Sequence, residues 1–319
     1  MDDVGRLIEI AGAREPVEKE RFDRVHQNVR QHWQQVQKEQ KGAPGSRQRK
    51  IIAIAASLAV VIGAVFIFSK LPLAPETASL ASVERVLGEV KAAGNPASRG
   101  DPIQSDSAII TGKDSRIALR MSGGQSLRID AASRVVFHSA SHISLDSGAV
   151  YIDTALASES SMMLVTTPLG TATDIGTQFQ VRMHGMVMVV GVRRGLVEIL
   201  RDDQVKLEVD GGHSVELDVN GASGARTLDT NDPDWDWIET VLPEFDIQGS
   251  TLAQYLEWYA NELAMDLVWA DEDSEKKAAR TMLTGSINGT SLDQGLMMVK
   301  QIAPFEYQLS DDGILVRVE

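Results

Sequence analysis

Six histidines are the natural candidates for proton or metal chemistry in this chain of 319 residues, and their spacing offers little of either. His26, His32, His138, His142, His184 and His213 are scattered. His138 and His142 would be neighbours on a helix, but as strand residues they would share a face ~13 Å apart, at about 3.3 Å per residue. No H-E-x-x-H, G-x-S-x-G, phosphate-binding G-x-x-x-x-G-K or G-x-G-x-x-G opening a helix occurs. Carboxylates are plentiful, yet no spacing pairs two of them for acid-base work. The absence of cysteine excludes disulfides, thiol catalysis and thiolate-held metal, and suits an oxidising compartment. No catalytic, cofactor-binding or metal-binding residue is expected, so the chain reads as a non-enzyme.

With little chemistry to position, the organising element is residues 51–68, IIAIAASLAVVIGAVFIF, which hold no charge and no proline. At about 1.5 Å per residue this helix would be about 27 Å long, close to the roughly 30 Å of hydrocarbon in a bilayer. A secretory signal has a shorter apolar run within the first 30 or so residues; here fifty residues precede it. The flank Arg47, Arg49 and Lys50 outweighs the single Lys70 beyond. By the positive-inside bias, the N-terminus is expected in the cytoplasm and residues from 70 onward on the exported side. Net charge follows the same division: of a total of -14, residues 1–50 carry +3 and the rest -17. So acidic an exported part is a poor ligand for nucleic acid or anionic lipid.

Before the span, residues 17–40 read as an amphipathic helix. Phe22, Val25, Val29, Trp33 and Val36 recur at spacings of three and four and form one stripe. Such a helix packs on its own short neighbour, lies on the inner leaflet or meets a partner; fewer than fifty residues with one stripe bury little core alone, and the stripe is what a helix-in-groove ligand offers a partner protein.

After a tether over residues 70–81 containing Pro72 and Pro75, the text changes period. Residues 83–90, 116–121, 126–129, 134–137, 178–183, 186–192 and 215–219 alternate or run β-branched between glycine-rich turns, which predicts an all-β domain of short strands. Residues 123–130 (GGQSLRID) echo 211–218 (GGHSVELD), leaving open a solenoid-like stack of similar units or a sandwich. Residues 229–242 read as an acidic linker in which Trp235, Trp237 and Ile238 are candidate docking side chains. Beyond it, strands are expected at 245–248, 266–269 and 282–287, helices at 251–263 and 291–302, and a hairpin at 305–309 and 314–318, with a charged stretch over 271–280 that is either helix-prone or a mobile loop. Two βαβ-like halves would make a small α+β domain.

Several of these stretches resemble the FecR family: ASVERVLGEV from Ala81, SGGQSLR from Ser122, GAVY from Gly148 and VRRGLVE from Val192, although an acidic residue is commoner in that family where Arg194 stands. Above all, Thr167-Pro168-Leu169-Gly170 with Asp174-Ile175-Gly176-Thr177-Gln178-Phe179 carries the likeness. Read from the residues alone, Pro168 and Gly170 turn the chain, Gly176 relieves a tight bend, Asp174 accepts backbone N–H groups, and Ile175, Phe179 and Val181 alternate into a core. From Phe245 the text resembles the short domain at the start of secretins and TonB-dependent transducers.

The resemblance implies a multidomain, single-pass membrane protein of the bacterial inner membrane, an anti-sigma factor with its N-terminus cytoplasmic and C-terminus periplasmic. Its parts would be a helical sigma-binding segment (1–46), a transmembrane helix (51–69), a tether (70–81), an all-β periplasmic domain (82–228), a linker (229–242) and an α+β domain (243–319). Implied partners are an extracytoplasmic-function sigma factor, the signalling domain of an outer-membrane TonB-dependent transducer, an intramembrane protease and the lipid bilayer, with no direct nucleic acid and no cofactor. Such cell-surface signalling responds to iron chelates or carbohydrates. The Phe22-to-Val36 stripe would hold the sigma factor, and Phe245, Ile247, Leu283 and Gly285 would meet the transducer, their strands offering an edge for β-augmentation. The alternative from the residues is a membrane-anchored envelope protein whose β domain binds glycan.

Overall fold

The computed structural model describes residues 79–155, 162–201, 205–229, 232–310 and 313–318. The sigma-binding stripe and the expected membrane span lie outside them. No helix among the described residues is long and apolar enough to cross a membrane.

The first part is all β. Its strands are β1 (Ala81–Leu87), β2 (Val90–Ala92), β3 (Asn95–Pro96), β4 (Pro102–Ile103), β5 (Ala108–Thr111), β6 (Arg116–Met121), β7 (Ser126–Ile129), β8 (Arg134–Ser139), β9 (His142–Asp153), β10 (Leu164–Thr167), β11 (Gly170–Asp174), β12 (Gln178–His184), β13 (Val187–Arg194), β14 (Leu196–Leu200), β15 (Lys206–Asp210), β16 (His213–Asp218) and β17 (Gly221–Thr227). One sheet runs β4-β1-β6-β7-β9-β12-β13-β16-β17. The other runs β3-β2-β5-β8-β9-β10-β11-β14-β15, antiparallel except where β10 lies parallel to β9. Successive strand pairs alternate between the sheets while both grow in chain order. The architecture is therefore a sandwich with the progressive order of a solenoid, and it joins the two readings that the sequence left open.

A single apolar core explains the alternation. Leu119, Leu127, Ile129, Val150, Ile152, Phe179, Val181, Val190 and Val192 from the first sheet meet Ile109, Phe137, Ile143, Val165, Ala172, Val197 and Ile199 from the second. These are every second residue of their strands, the period of the pleat. The segment expected as one strand over 83–90 is broken at Gly88, whose φ is +75° and where a Cβ would stand 2.5 Å from Ser115 Oγ. The GG echo has a local cause: Gly124 and Gly212 both take left-handed backbone in the turns that open β7 and β16.

The chain then forms a 3-10 turn (Pro233–Trp235), α1 (Asp236–Thr240), α2 (Leu252–Glu262), β18 (Asp266–Trp269), α3 (Glu272–Arg280), α4 (Leu292–Ile302), β19 (Phe305–Leu309) and β20 (Gly313–Val318). Thr251 with Gln254 and Ser291 with Gln294 make reciprocal capping boxes that start α2 and α4. β20 lies between β18, parallel to it, and β19, antiparallel. Two expected strands are corrected. Residues 245–248 and 282–287 are not strands, being limited to one isolated bridge between Thr251 and Met282, so the part is one three-stranded sheet with helices rather than two βαβ halves. Of the two readings left open for residues 271–280, the helical one holds: they are largely the helix α3, capped by Asp271 on the Ser274 N–H.

Strand β9 belongs to both sheets, its first half pairing with β8 and β10 and its second with β7 and β12. Gly148, φ +86°, marks the crossing, and a Cβ there would fall 2.5 Å from the Ser133 Cα. Gly148→Ala combines left-handed backbone with a backbone clash and is expected to cost at least about 2 kcal/mol in urea unfolding of the purified chain. Gly94→Ala, at φ +83° in open space, should cost only about 1 kcal/mol.

Candidate functional site

The Thr-Pro-Leu-Gly stretch closes the β10–β11 hairpin. Thr167 pairs with Gly170, and its hydroxyl donates to the Gly170 carbonyl at 2.9 Å while accepting the Leu169 N–H at 3.2 Å. Pro168 occupies the turn, and a Cβ on Gly170 would stand 2.7 Å from the Leu200 carbonyl oxygen. Asp174, at the end of β11, is sealed from solvent. One of its oxygens accepts the Met163 N–H; the other accepts the hydroxyls of Thr154, at 2.8 Å, and Thr177, at 3.3 Å. The Thr154 hydroxyl in turn accepts the Thr177 N–H at 2.8 Å. Gly176 adopts φ +72° at the bend, and Phe179 enters the core. Ile175 corrects the sequence reading: it is 57% exposed. Residues 175–177 form the bend between β11 and β12, and the two-residue period does not carry through a break in the strand.

This knot joins the end of β9 to the start of β12 and so places Asp153 and Gln178, the residues flanking it, on the outer face of the first sheet. That face is the second cluster. Register places Arg85, Ala118, Arg128, Tyr151, Gln180 and Gly191 in one row across five pairings. Instead of facing water, the row is covered. Trp235 and Ile238 pack with Ala149, Tyr151 and Leu228, Trp235 meeting the Tyr151 ring edge-on at 6.4 Å. The Trp237 indole donates to Gln180 Oε1 at 3.3 Å.

The C-terminal end of α2 completes the cover. Its last carbonyls carry the negative end of the helix dipole; those of Tyr259, Ala260 and Asn261 accept the N–H groups of Leu263, Met265 and Ala264, and the sandwich supplies further donors to the last two residues. Arg193 Nη1 donates to the Glu262 carbonyl at 3.0 Å, and Gln178 Nε2 to the Asn261 carbonyl at 2.8 Å. The Asn261 amide donates to Asp153 Oδ2 at 2.7 Å. Arg128 Nη2 meets Glu262 Oε2 at 2.6 Å, both side chains buried, and the Arg128 guanidinium lies 5.5 Å from the centre of the Tyr151 ring. Burial pushes the Glu262 carboxyl above the usual carboxylate range, against the opposing pull of Arg128. Burial likewise raises the Tyr151 phenol, with Asp153 adding to it. Arg85 Nη1 donates to the Leu242 carbonyl at 2.7 Å. Arg194 forms an exposed ion pair with Asp266, a kind of contact worth little.

The residues assigned to the transducer do not share a surface. Ile247 and Leu283 are fully buried in the α+β core, Phe245 lies tilted against Trp258 at 5.0 Å and meets Tyr255 edge-on at 5.8 Å, and Gly285 is exposed with its N–H on Gln248 Oε1. With no strand at either segment, the edge expected of them is absent. His138 and His142, expected on one strand, face each other across the β8–β9 hairpin with ring centres 4.8 Å apart. Among the described residues no group of three or more histidines or carboxylates is arranged to hold a metal. Arg128, Glu262, Tyr151, Gln178 and Asn261 went unseen in the sequence because polar residues at alternate strand positions, or on a helix, ordinarily face water.

The model of the FecR protein family matches residues 107–198, from just before β5 into β14, and takes in the whole Thr-Pro-Leu-Gly and Asp-Ile-Gly-Thr motif. The chain thus carries a FecR-type region. Two crystal structures of a candidate anti-sigma factor from Parabacteroides distasonis ATCC 8503 are similar at a TM-score of 0.37 each. They are 14% and 13% identical, and cover 66% of this chain and 98% and 99% of their own. No curated protein matches. In the motif, Asp174→Asn puts a donor where hydroxyl and amide donors converge. It should lower unfolding free energy by about 1–3 kcal/mol, read by urea titration, with Asp146→Asn, an exposed carboxylate, as a near-neutral control.

Proposed function

We propose that the protein is a single-pass inner-membrane anti-sigma factor that relays a periplasmic signal to an extracytoplasmic-function sigma factor. The observation that carries this reading is the FecR match over residues 107–198, a family of regulators rather than enzymes. The order of the chain supports it: a stripe of Phe22, Val25, Val29, Trp33 and Val36, a basic flank, an apolar stretch of span length and then a strand-rich exported part. In this reading the stripe lies in a groove of the sigma factor, and residues 79–318 meet the signalling domain of an outer-membrane TonB-dependent transducer. A loaded transducer acts by binding one periplasmic arrangement more tightly than another, since only differential affinity shifts a population. Proteolysis within or beside the span then frees the cytoplasmic segment.

The test is a binding isotherm between the full chain in detergent micelles and the candidate sigma factor. Saturable binding is expected, and Trp33→Ala should weaken it by about 2 kcal/mol, as for a central aromatic anchor, or roughly thirtyfold in Kd. Absence of saturable binding by the folded chain would withdraw the sigma-factor reading.

A further inference from the structure

The sandwich and the α+β part have separate hearts. Among the described residues the large core draws on residues 80–217 and the smaller one on residues 242–318, with no side chain in common. What joins them is of different chemistry. On one side of the seam the aromatic pad of Trp235, Trp237 and Ile238 stays with the sandwich, packed on Tyr151 and Ala149. On the other, the end of α2 is held by polar bonds: Arg128 to Glu262, Arg193 to the Glu262 carbonyl, and Gln178 and Asp153 to Asn261; Arg85 to the Leu242 carbonyl and the exposed pairs Arg99–Glu244 and Arg194–Asp266 lie around them.

That polar seam is incompletely paired. Arg128 Nε and Gln178 Oε1 are buried in it without a hydrogen-bond partner. A buried ion pair recovers its desolvation cost only when its remaining polar atoms are also satisfied, and a buried orphan forfeits the bonds that water gave it. The closed arrangement is therefore specific in geometry while gaining little over a hydrated, open one. Both sides of the seam are soluble when parted: the sandwich would present Arg85, Arg128, Arg193 and Gln178, and α2 would present Asn261 and Glu262. The connection is also short and irregular, running from the end of α1 at Thr240 to Leu242, the first residue of the smaller core.

We propose that the seam is a latch, from which the α+β part swings away as an intact body about the chain at Val241, with the Arg128–Glu262 pair setting the balance between closed and open. This stands on residues 79–318 and holds whatever the N-terminal segment binds.

The chain has no native cysteine, so two can be introduced as specific spin-label sites. Met186→Cys in the β12–β13 turn and Met297→Cys on α4 are both exposed. Pulsed electron resonance on the full, labelled chain in detergent micelles reads the distance between the two parts across a urea series, and amide hydrogen exchange at Phe179 and Val299 reads the two cores. The distance is expected to lengthen at urea concentrations where both cores remain protected. Loss of distance and protection in one shared transition would overturn the latch. Glu262→Gln, in the same labelled chain, should raise the open fraction tenfold or more with both cores still protected. Arg128→Met with Glu262→Leu, which replaces the charges by apolar groups, should return it to the closed distance. An unmoved distance in Glu262→Gln, or loss of protection at Val299 on opening, would each refute the assignment. If Glu262→Gln fails to fold, the unsubstituted labelled chain in urea decides alone.

Discussion

A carboxylate shut away from water accepts three hydrogen bonds where β9 ends and β12 begins, and the geometry around it depends on those bonds. Asp174 has no nearby cation among its partners; it is held by the Met163 N–H and the hydroxyls of Thr154 and Thr177. Three donors converging on one side chain fix its position. Thr154 relays the constraint, since its backbone N–H also reaches the Thr177 carbonyl at 3.0 Å. Asp153 and Gln178 are adjacent in sequence to Thr154 and Thr177 and directly paired across β9 and β12, so the knot decides where their side chains emerge. The FecR motif thus acts as a buried support for residues that face outward.

The middle of the first sheet, along the row through Arg128 and Tyr151, is covered on both faces, and the two covers differ in character. Inside, apolar residues from two sheets interdigitate, a gain that scales with area and is indifferent to small shifts in direction. Outside, an arginine-bearing row meets helix carbonyls, a carboxylate and an aromatic pad, all directional contacts. Sheets in antiparallel sandwiches ordinarily leave that outer face to water. Covering it with polar groups tells the α+β part where to sit without committing a large apolar area, and this leaves each core complete on its own side.

Much of the fold was legible in the residues because it follows short periods. Strands β6, β7 and β12 appear in the text as alternation or short apolar runs, and α2 and α4 fall within the helices expected at 251–263 and 291–302. What escaped is what periodicity does not encode. Ile175 looks like a core residue until the bend at Gly176 resets the alternation. His138 and His142 look remote until a hairpin folds between them. Residues 245–248 have the composition of a strand, yet Ile247 is buried by packing beneath α2 without a ladder. Within the motif, the turn at Pro168 and Gly170 and the acceptor role of Asp174 were readable, since turn chemistry is local. The seam was not: Arg128 and Glu262 are 134 residues apart, and a single sequence gives no sign that two such distant charges share one dry site.

That separation also bears on how a signal could cross the described residues. A rigid body transmits only a displacement, whereas two bodies with complete cores and a marginal seam can exist in two arrangements whose populations a third protein can bias. The knot at Asp174 holds one side of that seam fixed, through Asp153 and Gln178, while the other side ends in Glu262 on a helix whose capping box lies at its far end, at Thr251, away from the contact. Loss of the seam therefore leaves the start of α2 capped and its apolar face packed on Leu283 and Val299. Only Asn261 and Glu262, whose bonds to the sandwich then pass to water, change their partners, and this confines the cost of a change of state to the polar contacts that define it.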